Sequence, residues 1–302
     1  MSVEGQVELE SYKLAKYVST IPCYICRGPN HRDAERCRHC FAPMALAYQA
    51  KAQRVQPKIL AVLGAAGAGK TAYLGLLTDI LSRQSHGLQL LARGAFSVSL
   101  QQETTASLAR CEFPPPTSAD PEVWHWVHCQ LLRGDGRKPQ ELILPDVCGG
   151  VLFKEADHPA SDPIVRPMLT QAAAALILVD APEAACGGNQ ADFSTLKMLT
   201  YLHELDPLAK QSWRQRPIAI VFTKTDACDA AADDPTAFAR EHLSGVWRMC
   251  QDRKTPTGFF ATSVAAGCIS RVGRGGRRTT VPLRVEPRGI VEPFRSLVDQ
   301  IA

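Results

Sequence analysis

Short apolar runs alternate with amphipathic segments from Pro57 to the end of the chain. A short apolar run bounded by polar residues indicates a strand, whereas apolar residues at every third or fourth position indicate a helix. The strands predicted in this way are 58–63, 123–132, 141–144, 174–180, 217–222 and 258–261. Because strands that alternate with helices are typical of α/β proteins, the pattern predicts a three-layer α/β domain with a mostly parallel sheet.

Helical patterns lie between these strands and after them. They cover 70–83, 191–205, a segment that opens at Asp234 and Pro235, and 290–301. Aspartate is a favourable N-cap, and proline fits the first helical position. The last pattern is apolar at 290, 291, 294, 297, 298 and 301, so this helix is expected to cover one face of the sheet.

The first 56 residues are organised differently. Residues 1–20 form a polar leader, residues 21–42 hold two Cys-x-x-Cys pairs, and residues 43–56 are rich in helix formers and are interpreted as a connector. The α/β domain is expected to cover residues 57–302.

The composition excludes several classes of protein. With 302 residues, of which 45% are hydrophobic and 21% charged, the chain can form a sizeable core, and disorder is not expected. A formal net charge of +4 is too small to indicate nucleic-acid binding by itself. The longest apolar run, 172–179, is far shorter than the roughly 20 residues that span a bilayer. The acidic start also lacks the apolar stretch of a secretory signal, so a cytoplasmic protein without a transmembrane segment is expected.

Four of the eleven cysteines form the two Cys-x-x-Cys pairs, and ten residues separate the pairs. Two thiolates from each pair can converge tetrahedrally on Zn²⁺, so the segment is predicted to be a structural zinc ribbon. Redox cysteines and an iron–sulfur site are the alternatives. His31 and His39 lie inside the segment and could replace a ligand, although four cysteines make this unnecessary. The predicted zinc ligands are Cys23, Cys26, Cys37 and Cys40.

Residues 64–71 read Gly-Ala-Ala-Gly-Ala-Gly-Lys-Thr and match G-x-x-x-x-G-K-[ST] completely. The motif follows an apolar strand and opens an amphipathic helix, which is the context that a phosphate-binding P-loop requires. Backbone N–H groups and the helix N-terminus would bind phosphates, Lys70 would contact the β- and γ-phosphates, and the Thr71 hydroxyl would bind Mg²⁺. The residues predicted to bind the phosphates are Gly64, Ala65, Gly67, Ala68, Gly69, Lys70, Thr71 and Ala72.

Three later motifs each follow a predicted strand. Asp-Val-Cys-Gly at 146–149 places Asp146 to hold the Mg²⁺ shell and the Gly149 N–H to sense a γ-phosphate. Thr-Lys-Thr-Asp at 223–226 ends in a carboxylate, Asp226, that can accept two hydrogen bonds from guanine but not from adenine. In this motif Thr223 and Lys224 also belong to the predicted base site, and Lys224 would pack its stem over the base. The small residues around Ser263 could approach the base edge.

Two of these later motifs have a structural alternative: an ordinary turn at 146–149 and a capped strand end at 223–226. Their correct order along the chain favours the functional interpretation. An ATPase or kinase is disfavoured by Asp226, since a carboxylate at that position matches guanine.

With these motifs, residues 57–302 resemble the Ras-like, translation-factor-related P-loop GTPases. Within that class the chain is most similar to the bacterial double-GTPase proteins of predicted biological-conflict systems, which often carry a cysteine module before the P-loop domain. The resemblance implies a cytosolic switch that binds GTP and GDP with Mg²⁺, hydrolyses GTP, and regulates a protein effector or activator. Lys70, Thr117 and Gly149 would be the residues that act on the triphosphate.

The chain departs from the family pattern in three places. Thr223 stands where asparagine is usual, and Gly150 stands where Ras-like enzymes often carry the glutamine that positions water, so hydrolysis is expected to be slow or stimulated by a partner. Asp146 follows Gly64 by 82 positions, which leaves room for an insertion at 85–121. Within it, Thr117 is the candidate switch I ligand for Mg²⁺ and Ser118 is the alternative; a rigid proline-rich linker is the structural interpretation.

Residues 270–288 carry six arginines and are predicted to be a basic loop. This loop and the zinc ribbon could contact nucleic acid, anionic lipid or an acidic protein, or could simply be solvated. The alternative function is therefore a catalytically weak nucleotide-binding module that docks a protein or nucleic acid. The sequence does not define the oligomeric state.

Overall fold

The computed structural model describes residues 20–186, 188–209, 211–272 and 278–301, so residues 1–19 of the predicted leader lie outside the described part of the chain. The strands are β1 (Ile21–Pro22), β2 (Pro29–Asn30), β3 (Lys58–Gly64), β4 (Leu88–Ala92), β5 (His125–Arg133), β6 (Gln140–Asp146), β7 (Ala172–Asp180), β8 (Ile218–Thr223), β9 (Thr257–Ala261), β10 (Ser263–Ala265), β11 (Cys268–Val272), β12 (Arg278–Pro282) and β13 (Val285–Arg288).

The described helices separate most of these strands. They are α1 (Ala45–Gln53), α2 (Lys70–Ser82), α3 (Ser99–Ala109), α4 (Gly149–Asp157), α5 (Val165–Gln171), α6 (Ala181–Cys186), α7 (Gln190–Glu204), α8 (Asp229–Asp233), α9 (Pro235–His242), α10 (Ser244–Arg253) and α11 (Val291–Gln300). None of the helices in the described ranges has the length and apolar content that crossing a membrane requires.

Seven strands form the central sheet in the order β4-β5-β6-β3-β7-β8-β9. β3 lies parallel to both β6 and β7, and β8 and β9 continue the parallel arrangement. Among the seven strands of this sheet, β5 runs opposite to the other six, since it is antiparallel to both β4 and β6. The predicted α/β fold with a mostly parallel sheet is therefore confirmed. β4 was not among the predicted strands; it lies in the predicted insertion, 85–121, together with α3.

The sheet is buried on both faces, so its central strands are apolar throughout rather than alternating. Ile59 and Leu63 of β3 belong to one core, with residues of α4, α5, α7, α9 and α10. Leu60 and Val62 belong to the other, with residues of α2, α3 and α11. The predicted apolar stripe of α11 is buried against this second core, from Ile290 to Ile301. Because β3, β6, β7, β8 and β9 run parallel, their carboxyl ends lie along one edge of the domain.

The cysteine module is fixed at the opposite edge, where the parallel strands begin. The Tyr24 hydroxyl donates to the carbonyl of Pro57, just before β3. Gln171, at the end of α5, accepts a 2.9 Å hydrogen bond from Arg27 and donates to the carbonyl of Ile25. Ile25 is fully buried and shares the core of the first helical layer. The module is therefore packed on the domain rather than attached only by its connector.

The prediction of a basic loop at 270–288 is wrong for the residues of this segment that the structure describes, because most of them form strands. β11 pairs antiparallel with β12, and β13 pairs antiparallel with β10. The arginines and glycines of this segment suggest a loop, but its described parts also hold β-branched residues such as Val272, Thr280 and Val281, which favour strands.

Candidate functional site

Residues 64–69 connect β3 to α2 through a glycine-dependent turn. Gly67 and Gly69 have φ angles of 81° and 85°, a region that residues with a Cβ rarely adopt. Gly64 is required for a different reason, because a Cβ there would lie 2.5 Å from the carbonyl oxygen of Leu178 on β7. These glycines allow the tight turn by which the loop enters α2. The backbone N–H groups of the first turn of α2 lack partners within the helix and can bind an anion.

The Lys70 side chain is held inside this loop. It is 5% exposed, and its ammonium donates to the carbonyls of Gly64 and Ala65, both at 3.0 Å. Burial lowers the pKa of Lys70, and the charge of Asp146 opposes that shift. An anionic ligand at the loop would give this buried cation a stronger partner than two carbonyl oxygens.

Two hydroxyls and one carboxylate meet beside the loop. The Thr71 hydroxyl donates to Asp146 Oδ2 at 2.8 Å and lies 2.9 Å from the Thr117 hydroxyl, which is 3.2 Å from the same carboxylate oxygen. Asp146 is fully buried at the end of β6, and burial raises its pKa, although the Thr71 hydrogen bond and the Lys70 charge oppose this. Asp146 Oδ1 has no hydrogen-bond partner among the described residues. Three oxygen ligands with an unpartnered buried carboxylate oxygen fit a hard cation such as Mg²⁺.

These contacts distinguish Thr117 from Ser118, the two candidates for the switch I ligand of Mg²⁺. Thr117 contacts Asp146, as described above. Ser118 instead accepts hydrogen bonds outside the cluster: its hydroxyl from the Asp120 N–H at 3.1 Å, and its carbonyl from the Trp124 indole at 2.8 Å. The cluster thus contains Thr117 and not the alternative, Ser118.

Gly149 is the first residue of α4 and lies directly against the loop. A Cβ at this position would be 2.7 Å from the Ala65 carbonyl carbon, from the Ala66 nitrogen and from the Gly64 carbonyl oxygen. Only glycine lets the two segments approach this closely. The start of α4 is therefore packed directly on the P-loop, and a γ-phosphate contact of the Gly149 N–H stays a prediction.

The Thr-Lys-Thr-Asp motif follows β8 at the same edge of the sheet. The Thr223 hydroxyl donates to the Val179 carbonyl at 3.2 Å, and Lys224 has a left-handed φ of 57° and pairs with Asp180. The Asp226 carboxylate lies 3.8 Å from the Cys268 thiol. The motif therefore forms a turn that leaves Asp226 at the edge of the sheet.

A single cavity of about 420 Å³ connects these parts. It is lined by residues of the P-loop, which follows β3, and by Thr223, Lys224 and Asp226, which end β8 and the turn after it, and residues 113–117 also line it. Its volume is typical of small-molecule sites. Of the predicted site residues, Gly67, Gly69, Lys70, Thr71, Ala72, Thr117 and Gly149 also line it.

The remaining predicted residues lie around the cavity rather than on it. Gly64 and Ala65 supply the carbonyls that hold Lys70, Ala68 and Asp146 are buried behind the loop, and Ser263 is buried in β10. Thr262 and Val264, the neighbours of Ser263, line the cavity instead. Sequence motifs also gave no sign of Cys268 and Thr280, which reach the cavity from β11 and β12.

The four cysteines of the N-terminal module converge. Their sulfur atoms all lie within 4.8 Å of one another, with 3.6 Å between Cys23 and Cys40 and 3.5 Å between Cys26 and Cys37. Four thiolates at about 2.3 Å from one zinc ion would be about 3.8 Å apart. Backbone N–H groups, such as those of Ile25 and Gly28, lie 3.4 Å from these sulfurs. The cluster fits the metal site of a zinc ribbon.

The two histidines of the module lie outside this cluster. His31 pairs with Asp33, and His39 accepts a hydrogen bond from Arg38 at 3.1 Å. They therefore do not substitute for a cysteine.

A P-loop on a mostly parallel sheet, with a hydroxyl–carboxylate cluster on one side and an Asp-terminated turn on the other, defines a nucleotide-binding protein of the P-loop GTPase class. The sequence profile of the Double-GTPase 2 family matches residues 58–246, which is more than half of the chain. The chain belongs to the Double-GTPase 2 family. This confirms the resemblance inferred from the motifs. No curated protein matches the chain.

Solved structures with a similar fold come from several GTPases. A bacterial selenocysteine-specific elongation factor, EF-Sec, is 13% identical with a TM-score of 0.37, over 81% of this chain and 28% of that one. The Ski7 GTPase-like domain of S. cerevisiae, bound to GTP, is 18% identical with a TM-score of 0.42, over 81% and 50%. The signal recognition particle receptor SRb-GTP/SRX complex from Chaetomium thermophilum is 15% identical with a TM-score of 0.40, over 68% and 90%. The chain thus spans less than a third of the elongation factor, and likenesses this distant carry no argument about function.

Proposed function

We propose that this chain is a GTP-binding molecular switch of the bacterial cytosol that hydrolyses GTP slowly and regulates a protein partner. The observation that carries the proposal is the cavity that runs from the P-loop to Asp226. One end of this cavity suits phosphates and the other suits a base with adjacent hydrogen-bond donors. Family membership supports guanine as that base.

At the phosphate end, this chain's own groups bind and orient the triphosphate. The first-turn N–H groups of α2 and the Lys70 ammonium would bind the phosphates, and Thr71, Thr117 and Asp146 would hold Mg²⁺. When bound, the ion neutralises charge on the β- and γ-phosphates. Lys70 would exchange its carbonyl partners in the loop for phosphate oxygens.

The switching elements are the 113–117 segment and the start of α4. Thr117 contacts the Asp146 carboxylate, and Gly149 packs on the P-loop, so both segments meet where a γ-phosphate would lie. Loss of the γ-phosphate removes the charge that both segments approach, and the segments then relax. A partner that reads these two segments would distinguish the GTP form from the GDP form.

Hydrolysis is proposed to be slow because the cavity lacks an obvious group to position water. Among the described residues that line it there is no glutamine, glutamate or histidine, and Gly150 carries no side chain. A partner would then supply the missing group. The same observation favours the second candidate, a nucleotide-binding module with negligible hydrolysis that docks a protein or nucleic acid through the zinc ribbon and the arginine-rich segment.

Base selectivity tests the proposal directly. Isothermal titration with GTP, GDP and ATP, with and without Mg²⁺, is expected to show a preference for GTP over ATP of at least about 100-fold, because a site built to pair buried polar groups penalises a ligand that lacks them. Asp226→Asn places a donor opposite a guanine donor. This variant should lose GTP affinity and gain relative affinity for xanthosine triphosphate. Equal binding of ATP and GTP by the unmodified protein would leave only a P-loop nucleotide-binding protein.

A further inference from the structure

The β11–β12 hairpin extends the β10–β13 pair, which follows β9, the last strand of the central sheet. The N–H of Ala266 donates to the Arg284 carbonyl and that of Leu283 to the Gly267 carbonyl, both at 3.0 Å, so the β10–β13 pair leads directly into the hairpin. Gly267 has a φ of 137°, which places the bend at a residue without a Cβ. The hairpin is therefore held at its base by a defined turn.

The register of the hairpin gives one of its faces to the cavity. Cys268 lies opposite Pro282 and Ser270 lies opposite Thr280. Residues directly opposite each other, and residues two apart along a strand, share a face. Cys268 and Thr280 both line the cavity, and Cys268 contacts Asp226 there. This face of the hairpin is thus a wall of the cavity beside Asp226.

The Cys268 thiol contacts the residue that is proposed to select the base. Its sulfur lies 3.8 Å from Asp226 Oδ2, a distance at which the S–H donates a weak hydrogen bond to the carboxylate. Desolvation and the negative charge of Asp226 raise the pKa of Cys268, although Lys224 opposes this. The thiol consequently keeps its proton at neutral pH and acts as a donor.

We propose that the β11–β12 hairpin forms the outer wall of the guanine subsite and that Cys268 is a positioning residue, whose thiol orients the Asp226 carboxylate toward the base. The inference rests on the proposed binding of guanine nucleotides in this cavity. It goes beyond that function because it assigns base selection to a segment that lies outside the nucleotide-binding motifs. The proposal predicts that phosphate and Mg²⁺ binding do not depend on the hairpin.

Affinities for GDP and for tripolyphosphate test the base end and the phosphate end of the site separately. Cys268→Ala should weaken GDP binding by about 3- to 10-fold, since a thiol is a weak donor to a charged acceptor. The affinity for inorganic tripolyphosphate should be unchanged, because that probe occupies the phosphate end alone. Cys268→Ser keeps a donor and should restore GDP binding, and Cys186→Ala, at an exposed cysteine that does not line the cavity, should match the unmodified protein.

Alkylation by N-ethylmaleimide gives a second readout on the unmutated chain. With GDP at ten times its Kd, labelling of Cys268 should slow about tenfold, as mass action requires, while labelling of Cys186 stays constant. Tripolyphosphate should not protect Cys268.

The outcomes distinguish this inference from the function on which it rests. If Cys268→Ala keeps the GDP affinity of the unmodified protein, or if saturating GDP leaves the alkylation of Cys268 unchanged, the hairpin is no wall of the base subsite and the inference fails, while the proposed function stands. If the unmodified protein binds GDP no better than tripolyphosphate, the guanine assignment itself fails.

Discussion

Adjacent glycines at the start of α4 allow a matched test of how the γ-phosphate would be sensed. A methyl group at Gly149 would lie 2.7 Å from three backbone atoms of the P-loop, whereas one at Gly150 would meet only the Cys148 sulfur, at 3.9 Å. Gly149→Ala therefore forces two backbone segments apart, and Gly150→Ala makes an ordinary van der Waals contact. Both changes add the same methyl group to the same helical turn, so their effects on helix propensity are similar.

The size of the effect follows from this geometry. Ordinary contacts begin near 3.4 Å, so the start of α4 must move away from the P-loop by about 0.7 Å. Such a displacement misaligns the Gly149 N–H from a γ-phosphate oxygen. A hydrogen bond to a charged group contributes about 1.5–3 kcal/mol. At about 1.4 kcal/mol per factor of ten, its loss weakens GTP binding by about 10- to 150-fold.

The assay is competition binding of a non-hydrolysable GTP analogue and of GDP to the three proteins. Gly149→Ala should lose affinity mainly for the triphosphate, because GDP has no γ-phosphate to contact. Gly150→Ala should match the unmodified protein for both ligands. Equal triphosphate affinity in Gly149→Ala and the unmodified protein, or an equal loss in both variants, would refute the assignment of Gly149 as the sensor.

Three further predictions concern the metal ions and the P-loop lysine. Thr117→Ala should reduce Mg²⁺-dependent GTP affinity by about tenfold or more, whereas Ser118→Ala should have little effect. Calorimetry at varied Mg²⁺ concentration measures both affinities. A larger loss in Ser118→Ala than in Thr117→Ala would contradict the cluster geometry. Elemental analysis should find one zinc per chain, and iron in place of zinc would contradict the zinc assignment. Removal of the metal by a chelator should unfold the cysteine module, and Cys26→Ser should have the same effect. The far-ultraviolet circular dichroism signal of the main sheet should persist in both cases. Burial lowers the pKa of Lys70 in the free protein, and the negative charge of bound phosphates raises it. Nucleotide binding should therefore take up a proton between these two pKa values, and affinity should fall as pH rises through the lowered one. Calorimetry in buffers of different ionisation enthalpy measures that uptake, which Lys70→Met should abolish.

The sequence predicted the elements whose pattern has a single physical interpretation. The apolar stripe of α11 and the apolar runs of β3 and β7 can only be buried, and the P-loop glycines are needed for the backbone itself. β4 was missed because it is five residues long and its last two residues are exposed, so its pattern is weak. The β11–β12 hairpin was missed because arginines and glycines mask its β-branched residues.

The candidate site likewise contains residues that sequence motifs predict and residues that only the tertiary structure brings together. Motifs identify residues that are close to one another in sequence, or that each follow a buried strand, as Lys70 and Asp226 do. Cys268 follows Asp226 by 42 positions and meets it only through the pairing of a hairpin with no recognisable motif. Sequence order could also not choose between Thr117 and Ser118. That choice depends on which hydroxyl turns toward Asp146 and which is held by the local turn near Trp124.

The cysteine module and the cavity stand at opposite ends of β3. The module meets Pro57 just before the strand, and the P-loop begins where the strand ends. The seven residues of β3 span about 23 Å at roughly 3.3 Å per residue. A protein docked on the module could not place a side chain at the γ-phosphate without extending along the whole sheet. A partner bound to the module alone would therefore leave the P-loop edge of the sheet uncovered.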